Sequence, residues 1–251
     1  MCQDVQSTSG NSFAGEAHHD ENRIMLSDHL PIYKLRLRTE RLELRLPDLE
    51  ELGRLADAAA DGIHDPDFMP FLFPWTDTTP EGRGRSVALW CHRVIGRWAN
   101  DDWQIPFTVF HEGEPIGIQE LGGKQFALSR EVSTGSWMGL AYQGKGLGTE
   151  MRAAVLHFAF AGLGADWATS ASFDGNEASA GVSRRLGYKG DGVEYHIVQG
   201  ERRLDWRWRL SREDWEANRR HEVAIEGLDE DVLEMLGMAE EKDPEGPLNE
   251  D

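Results

Sequence analysis

A glycine-rich loop between a strand and an amphipathic helix constrains the fold of this chain more than any other feature. The segment QGKGLGTEM, residues 143–151, places glycines at 144, 146 and 148 directly before an apolar helical face. Glycine allows positive φ and close approach of the backbone to a ligand. The free N–H groups of a first helical turn, together with the helix dipole, favour an anion. The loop therefore predicts a phosphate or pyrophosphate site.

Two familiar phosphate-binding loops do not fit this segment. The run from Gly139 to Lys145 follows the first seven positions of a P-loop, but Gly146 stands where Ser or Thr should hold magnesium. A dinucleotide-binding loop would need a further glycine where this chain has Thr149. The sequence therefore disfavours a nucleotide or dinucleotide as the ligand.

Hydrophobic periodicity predicts the order β-α-α-β-β-β-α-β-α-β-β along the chain. The first strand bends around Thr39-Glu40, and Asp48 is a good N-cap for the helix that follows. Antiparallel strands precede a strand–loop–helix–strand–helix unit, which predicts an α/β (α+β) fold with a mixed sheet and helices on both faces. A helical stretch from about Arg212 to Leu236 is predicted after the last strand.

The chain divides into a folded middle and two polar ends. Residues 1–30 and the acidic residues 239–251 lack periodicity and are predicted to be disordered tails. Residues 31–212 form the predicted domain, and 213–238 a helical extension. His18 and His19 are adjacent in the first tail, where we expect solvated side chains and no metal.

Charge and cysteine content limit the partners. With 26 Lys+Arg against 45 Asp+Glu, the net charge of -19 argues against a nucleic-acid partner, which needs a basic surface. The charge suits a cationic substrate such as an amine, although an acidic surface is more often a solubility device. Only two cysteines, no secretory signal and no long apolar run predict a cytoplasmic protein without a membrane partner.

Two motifs in order resemble a known family. Residues 143–148 fit the pattern Gln-x-x-Gly-x-Gly, which resembles the acyl-CoA signature of the GCN5-related N-acetyltransferases (GNAT). DGNEASAGVSRRLGY, residues 174–188, resembles the family's second signature, Asn-x-x-Ser-x-x-Val-x-x-Arg/Lys-x-Gly-Phe/Tyr. LRTERLELRLP, residues 37–47, and the closing Trp206-x-Trp208 strand resemble the ribosomal-protein alanine acetyltransferase (RimJ/RimL-like) branch. The resemblance covers about residues 35–212.

The resemblance implies a sheet that splays between the family's fourth and fifth strands, here Val132–Leu140 and Trp167–Ser172. Acetyl-CoA would lie in the splay, with its pantetheine arm paired to Met138 and Leu140. The other implied cofactor contacts are Gln143, Gly144, Lys145, Gly146, Leu147, Gly148, Thr149, Asn176 and Ser179. Arg184, Arg185 and Lys189 are candidates for the 3′-phosphate. No metal is implied.

The implied reaction is direct acyl transfer from a thioester to a primary amine. Ser179 would donate to the departing thiolate, with helix capping or pantetheine binding as its alternative role. The branch often carries a glutamate where this chain has Ser133. The candidates for the general base are therefore Glu131, on the same strand face, and Glu120, on the preceding strand; each is equally consistent with a surface carboxylate.

The acceptor and the donor stay open at this stage. Asp65 and Asp67, in an aromatic loop over residues 64–78, and Trp137 are candidate substrate contacts, with helix capping as the alternative for the aspartates. The amine would be a protein N-terminus, a lysine or a small molecule. Acetyl-CoA is the expected donor, and succinyl-CoA is an alternative if an arginine such as Arg130 reaches the acyl pocket. Ser133 also keeps open a non-catalytic CoA-sensing or scaffold protein, and nothing excludes a homodimer.

Overall fold

The computed structural model describes residues 25–219 and 221–238. Its strands are Arg36–Arg38 (β1), Leu42–Arg45 (β2), Asp102–His111 (β3), Glu114–Lys124 (β4), Glu131–Met138 (β5), Trp167–Phe173 (β6), Lys189–Val198 (β7), Glu201–Ser211 (β8) and Ala224–Glu226 (β9). Its α-helices are Leu26–His29 (α1), Leu49–Ala60 (α2), Pro80–Gly96 (α3), Phe126–Ser129 (α4), Leu147–His157 (α5), Glu177–Arg185 (α6), Arg212–Asn218 (α7) and Glu230–Met235 (α8). The predicted tails over 1–24 and 239–251 lie outside the described residues.

The strands form one mixed sheet in the order β7-β8-β6-β5-β4-β3-β2-β1-β9. All neighbours are antiparallel except β5 and β6, which are parallel and pair only from Glu131–Trp167 to Ser133–Thr169. Beyond Ser133 the two strands diverge, while β5 stays paired with β4 as far as Met138. The predicted splay is therefore present in the middle of the sheet.

Helices cover both faces of the sheet, as the sequence predicts. On one face α2 and α3 bury Leu52, Leu55 and Val87 against Ile118 and Trp137. On the other face α5 packs into the main core and buries Leu147, Met151, Ala154, Val155 and Leu156 there. The predicted mixed α/β fold is confirmed. Among the described residues, no helix has the length and apolar character needed to cross a membrane.

The predicted bent first strand is instead two strands joined by a tight turn. The backbone N–H of Thr39 donates to Leu42 O at 2.9 Å, and the Leu42 N–H donates to Thr39 Oγ1 at 3.0 Å. These bonds reverse the chain, so β1 and β2 pair as an antiparallel hairpin. The alternation of apolar residues is the same for a bent strand and a hairpin, so periodicity alone did not separate them.

Two predicted boundaries also change at the ends of the domain. Residues 26–29 form a helical turn at the end of the segment predicted as a mobile tail. The predicted helical stretch after Arg212 is interrupted by β9, which pairs with the outer edge of β1 and satisfies its backbone groups. The chain then returns to the core, where Trp98 and Trp103 donate their indole N–H groups to carbonyl oxygens near α8.

Close backbone approach at Gly117 generates a stability prediction. A β-carbon at this position would overlap the carbonyl oxygen of Trp137 on β5. We expect Gly117→Ala to force β4 and β5 apart and to lower the free energy of unfolding by about 1–3 kcal/mol. Urea denaturation measures the change.

Gly53 in α2 is the matched control. Nothing lies within 4 Å of a β-carbon there, so Gly53→Ala should raise stability by about 0.5–1 kcal/mol through the helical preference of alanine. Equal effects of the two substitutions would contradict the packing explanation.

Candidate functional site

The glycine loop is fastened to the sheet by the side chain of Gln143. Its Nε2 donates hydrogen bonds to the carbonyl oxygens of Met138 at 2.8 Å and Ile63 at 2.6 Å. These bonds tie the loop to the end of β5 and to the segment after α2. The sequence predicts Gln143 as a cofactor contact, but in the structure its amide nitrogen shapes the loop.

The loop and the first turn of α5 present a row of backbone amides. Gly144 and Gly146 have φ of +75° and +82°, a left-handed conformation that glycine adopts without steric cost. Within the described residues, no acceptor is bonded to the backbone N–H groups of Gly144, Lys145, Gly146, Leu147 and Gly148. The Thr149 N–H, by contrast, returns to Gly146 O at 3.1 Å. Residues 144–148 therefore present the unbonded amides that the predicted anion site requires, and the binding of an anion there stays a prediction.

An ion pair between Arg41 and Glu150 lies beside this loop, and the sequence analysis did not identify it. Glu150 accepts from Thr39 Oγ1 at 2.6 Å and from Arg41 Nε at 2.7 Å, while Arg41 Nη1 donates to Lys145 O at 3.2 Å. Burial alone would raise the pKa of Glu150, but the bonds from Thr39 and Arg41 lower it overall. The β1–β2 turn thus holds a half-exposed arginine against the loop, next to Gly146.

The predicted 3′-phosphate contacts differ in their surroundings. Arg184 pairs with Glu177 at 2.7 Å, and Lys189 pairs with Asp214 at 2.8 Å. Arg185 is exposed and has no ion pair among the described residues. Lys145 is exposed, and its ammonium lies 5.6 Å from the centre of the Tyr142 ring. Of these four cations, Arg185 and Lys145 are therefore the two that have no carboxylate partner among the described residues.

The edge of β5 that faces the splay is shorter than predicted. In an antiparallel ladder alternate residues bond to the neighbour, and Gly139 N–H bonds to Ile116 O of β4. Ser136 and Met138 therefore face the gap toward β6. Leu140 N–H already donates to Gly62 O at 3.1 Å, so the predicted pairing of an extended ligand with Leu140 does not fit. Backbone N–H groups of Ser136 and Met138 are the ones available.

Helix α6 brings the second motif to the same cleft. Asn176 Oδ1 accepts the Ser179 N–H at 3.1 Å and caps the helix. The Ser179 hydroxyl has no hydrogen-bond partner in the described part of the chain. Val182 Cγ2 lies 3.9 Å from the place of a β-carbon on Gly148, so α6 packs beside the first turn of α5. Ser179, three residues before Val182, therefore faces the same cleft.

The two candidate bases have different environments on the same face of the sheet. Glu131 is paired with Arg209 at 2.5 Å, at the end of β5 that is still paired with β6. Glu120 lies opposite Gly135 in the middle of the strand and accepts from Gln104 Nε2 at 2.5 Å. Burial raises the pKa of Glu120 to about 7, outweighing the bond from Gln104. Glu120, unlike Glu131, has no cation partner among the described residues.

A row of aromatic rings covers the face of β5 that carries Trp137. Ring centres are 5.6 Å apart for His64 and Phe71, 5.2 Å for Phe71 and Trp75, and 5.9 Å for Trp75 and Trp137. Trp137 is only 7% exposed, so the 64–78 loop packs over it. His64, which sequence reasoning did not single out, belongs to this row of rings. A hydrogen bond of 2.7 Å between its Nε2 and Thr76 Oγ1 holds it in place.

The aspartates of the loop lie on its outer surface. Asp65 Oδ1 accepts the N–H of Asp67 at 3.0 Å, and both residues are exposed. This contact lies in a turn and caps no helix, so the capping role given as their alternative is not seen, and their contact with substrate stays a prediction. Gln199, in the β7–β8 turn, donates to Asp77 at 2.7 Å, so a second loop meets the aromatic loop from the far side of the cleft. In the described ranges no three metal-ligating side chains converge.

Comparisons with known proteins agree with this geometry. Residues 41–189 match the family model described as an acetyltransferase (GNAT) domain, within the domain predicted over 31–212. A Mycobacterium smegmatis RimJ structure in complex with a CoA disulfide has a TM-score of 0.59 at 18% identity, covering 76% of this chain and 98% of that one. A RimL ribosomal L7/L12 α-N-protein acetyltransferase in complex with coenzyme A has a TM-score of 0.54 at 18% identity, covering 69% and 95%. At this identity the structures support the fold.

The Arg41–Glu150 pair generates a binding prediction. Arg41→Met removes a positive charge and a bond to the loop, so we expect CoA to bind about tenfold more weakly, the effect of losing one charge-assisted hydrogen bond. Isothermal titration calorimetry measures the dissociation constant. Arg54→Met, which removes a charge from an exposed pair with Glu114, is the control and should bind CoA as the parent does.

Proposed function

Because the chain belongs to the GNAT acetyltransferase family, we propose that it acetylates the primary amine of a protein, with Glu120 as general base. The chain is an acetyl-CoA-dependent N-acetyltransferase. Two finer points are proposals: the kind of amine and the residues that perform the transfer.

One observation carries the assignment of the base. Glu120 is a half-buried carboxylate next to the splay, without a cation partner among the described residues, and its pKa is about 7. A base works best when its pKa lies near the working pH. Glu131 is neutralised by Arg209 and lies at the closed end of the splay. Glu120 therefore takes the role for which the resembling branch uses a glutamate at the position of Ser133.

The proposed reaction is a single displacement. The neutral amine nitrogen attacks the thioester carbon, and its proton passes to the Glu120 carboxylate directly or through water. A free N–H on the inner edge of β5, at Ser136 or Met138, stabilises the carbonyl oxygen as it becomes negative. The C–S bond then breaks and the C–N bond remains. The Ser179 hydroxyl donates a hydrogen bond to the departing thiolate, which takes its proton from solvent.

Support for a protein acceptor comes from the surface around the aromatic loop. Asp65 and Asp67 are exposed beside an aromatic wall, which suits an ammonium group carried on a chain with apolar neighbours. RimJ and RimL are among the structurally similar proteins, and RimL is described as acting on a ribosomal protein. A small amine is the alternative acceptor, and assays with an N-terminal peptide, a lysine peptide and a polyamine separate these cases.

Glu120→Gln tests the base through the pH dependence of kcat/KM. Because Glu120 accepts a proton only when ionised, the parent rate should rise through about pH 7. The variant should lose this inflection and be slower by ~10²–10⁴-fold. Glu131→Gln is the control and should keep the inflection. An unchanged profile in Glu120→Gln would remove this residue from the mechanism.

Stability provides a second reading of the same group. The folded-state pKa of Glu120 is raised from 4.5 to about 7, so the unfolded chain releases this proton more readily. The free energy of unfolding should fall as pH rises between these two values and level off above them. Glu120→Gln should lack this fall, which urea titrations at several pH values can measure without substrate.

Ser179→Ala separates chemistry from binding. A donor to the thiolate matters when charge develops, so its loss should lower kcat more than it weakens CoA affinity. We expect a decrease in kcat of about tenfold or more with a CoA dissociation constant within about twofold of the parent. A turnover equal to the parent's would leave Ser179 with a structural role only.

A further inference from the structure

A buried arginine lies on the α5 side of the splay without a carboxylate. Arg152 is 3% exposed. Its Nη1 donates to Ser183 Oγ at 3.1 Å and its Nη2 to Ser136 Oγ at 3.2 Å. Its Nε has no hydrogen-bond partner in the described part of the chain.

This environment leaves a positive charge uncompensated. A buried guanidinium is normally paired with an acid, because removing it from water is costly. Both partners of Arg152 are neutral hydroxyls, and no described carboxylate forms an ion pair with it. The nearby Tyr188 is buried, which raises its pKa, so the phenol stays neutral near pH 7 and does not balance the charge. An arginine keeps its proton even where burial lowers its pKa.

The two partners of the guanidinium belong to elements that border the splay, β5 and α6. Ser136 is on β5, three residues beyond the last pair with β6, where its backbone faces the splay. Ser183 is one helical turn after Ser179, to whose carbonyl oxygen its hydroxyl donates at 3.3 Å. Arg152 therefore bridges the strand that borders the thioester and the helix that carries the proposed thiolate donor.

We propose that Arg152 binds the carboxylate of a dicarboxylic acyl group, so that the enzyme also accepts donors of the succinyl-CoA class. A carboxylate two carbons from the thioester carbonyl would supply the anion that Arg152 lacks and would bond to its free N–H groups. The proposal rests on the proposed function. The transfer is unchanged: the amine forms the C–N bond, the C–S bond breaks, and the proton passes through Glu120.

The arginine suggested by the sequence for this role does not serve it. Arg130 follows α4, its Nη1 lies 3.5 Å from Leu163 O, and its guanidinium is 5.8 Å from the Phe126 ring. These contacts hold it against the start of β5, before the splay opens. Arg152 was missed because a polar residue in a core helix shows no partner in the sequence.

The experiment compares succinyl-CoA with butyryl-CoA, which has the same chain length without the charge. For the parent, kcat/KM should be at least about tenfold higher with succinyl-CoA, the value of one charge-assisted bond. Arg152→Met, which is uncharged and of similar length, should lose this preference and keep or improve its use of butyryl-CoA. Arg152→Lys should restore part of the preference. Arg54→Met, an exposed control on α2, should behave as the parent does.

Each outcome bears on one proposal. Acetyl-CoA turnover is measured in parallel, with reactions lacking enzyme to subtract spontaneous acylation. Turnover with acetyl-CoA but no preference for succinyl-CoA over butyryl-CoA would overturn the role of Arg152 alone, whereas no turnover with any donor would overturn the proposed function. An Arg152→Met variant that keeps its fold by circular dichroism but binds CoA and every acyl-CoA equally weakly would make Arg152 a contact of the pantetheine arm instead.

Discussion

The parting of β5 from β6 after Ser133 is the constraint on which the site depends. Strands that diverge leave backbone N–H and C=O groups without partners, and buried groups of this kind must bond to something. Here the turn after β5 is held away from the gap by two hydrogen bonds. Gln143 Nε2 donates to the Met138 carbonyl oxygen, and the Leu140 N–H donates to the Gly62 carbonyl oxygen. The edge that remains, at Ser136 and Met138, is short and polar. An extended ligand with amide groups is what such an edge can bind, and the pantetheine arm of CoA has that form.

Local fields, and not the net charge, make this acidic chain suitable for a polyanion. Five backbone amides converge ahead of α5, and Glu150 positions Arg41 beside them. A buried carboxylate thus orients a cation toward the place where phosphate is expected. Farther into the cleft, Arg152 adds a second positive charge that no described acid balances. The cleft therefore has two separate sites of positive charge, although the formal net charge of the chain is -19.

The two glutamates illustrate how environment assigns roles to identical side chains. Glu131 and Glu120 lie on the same face of the sheet, the face that also carries Trp137. Arg209 neutralises the first, while the second is half-buried beside a glutamine and remains a weak acid with a pKa of about 7. A carboxylate whose pKa is raised by its surroundings is a common basis for acid–base function. The aromatic loop packs over Trp137 on this same face.

The sequence by itself determined the mixed sheet and the glycine loop, because each depends on local patterns: strand alternation, helical periodicity and glycines that permit positive φ. The splay was implied only by the resemblance to the acetyltransferase family. It also placed Asp48 correctly as the N-cap of α2, since capping is a local interaction. Only the tertiary structure decided between Glu120 and Glu131, because the choice depends on Arg209 and Gln104, which lie far away in sequence. The same holds for Arg41 under the loop and Arg152 in the cleft. Their roles arise from burial and from partners on other elements, and no spacing along a single chain encodes these.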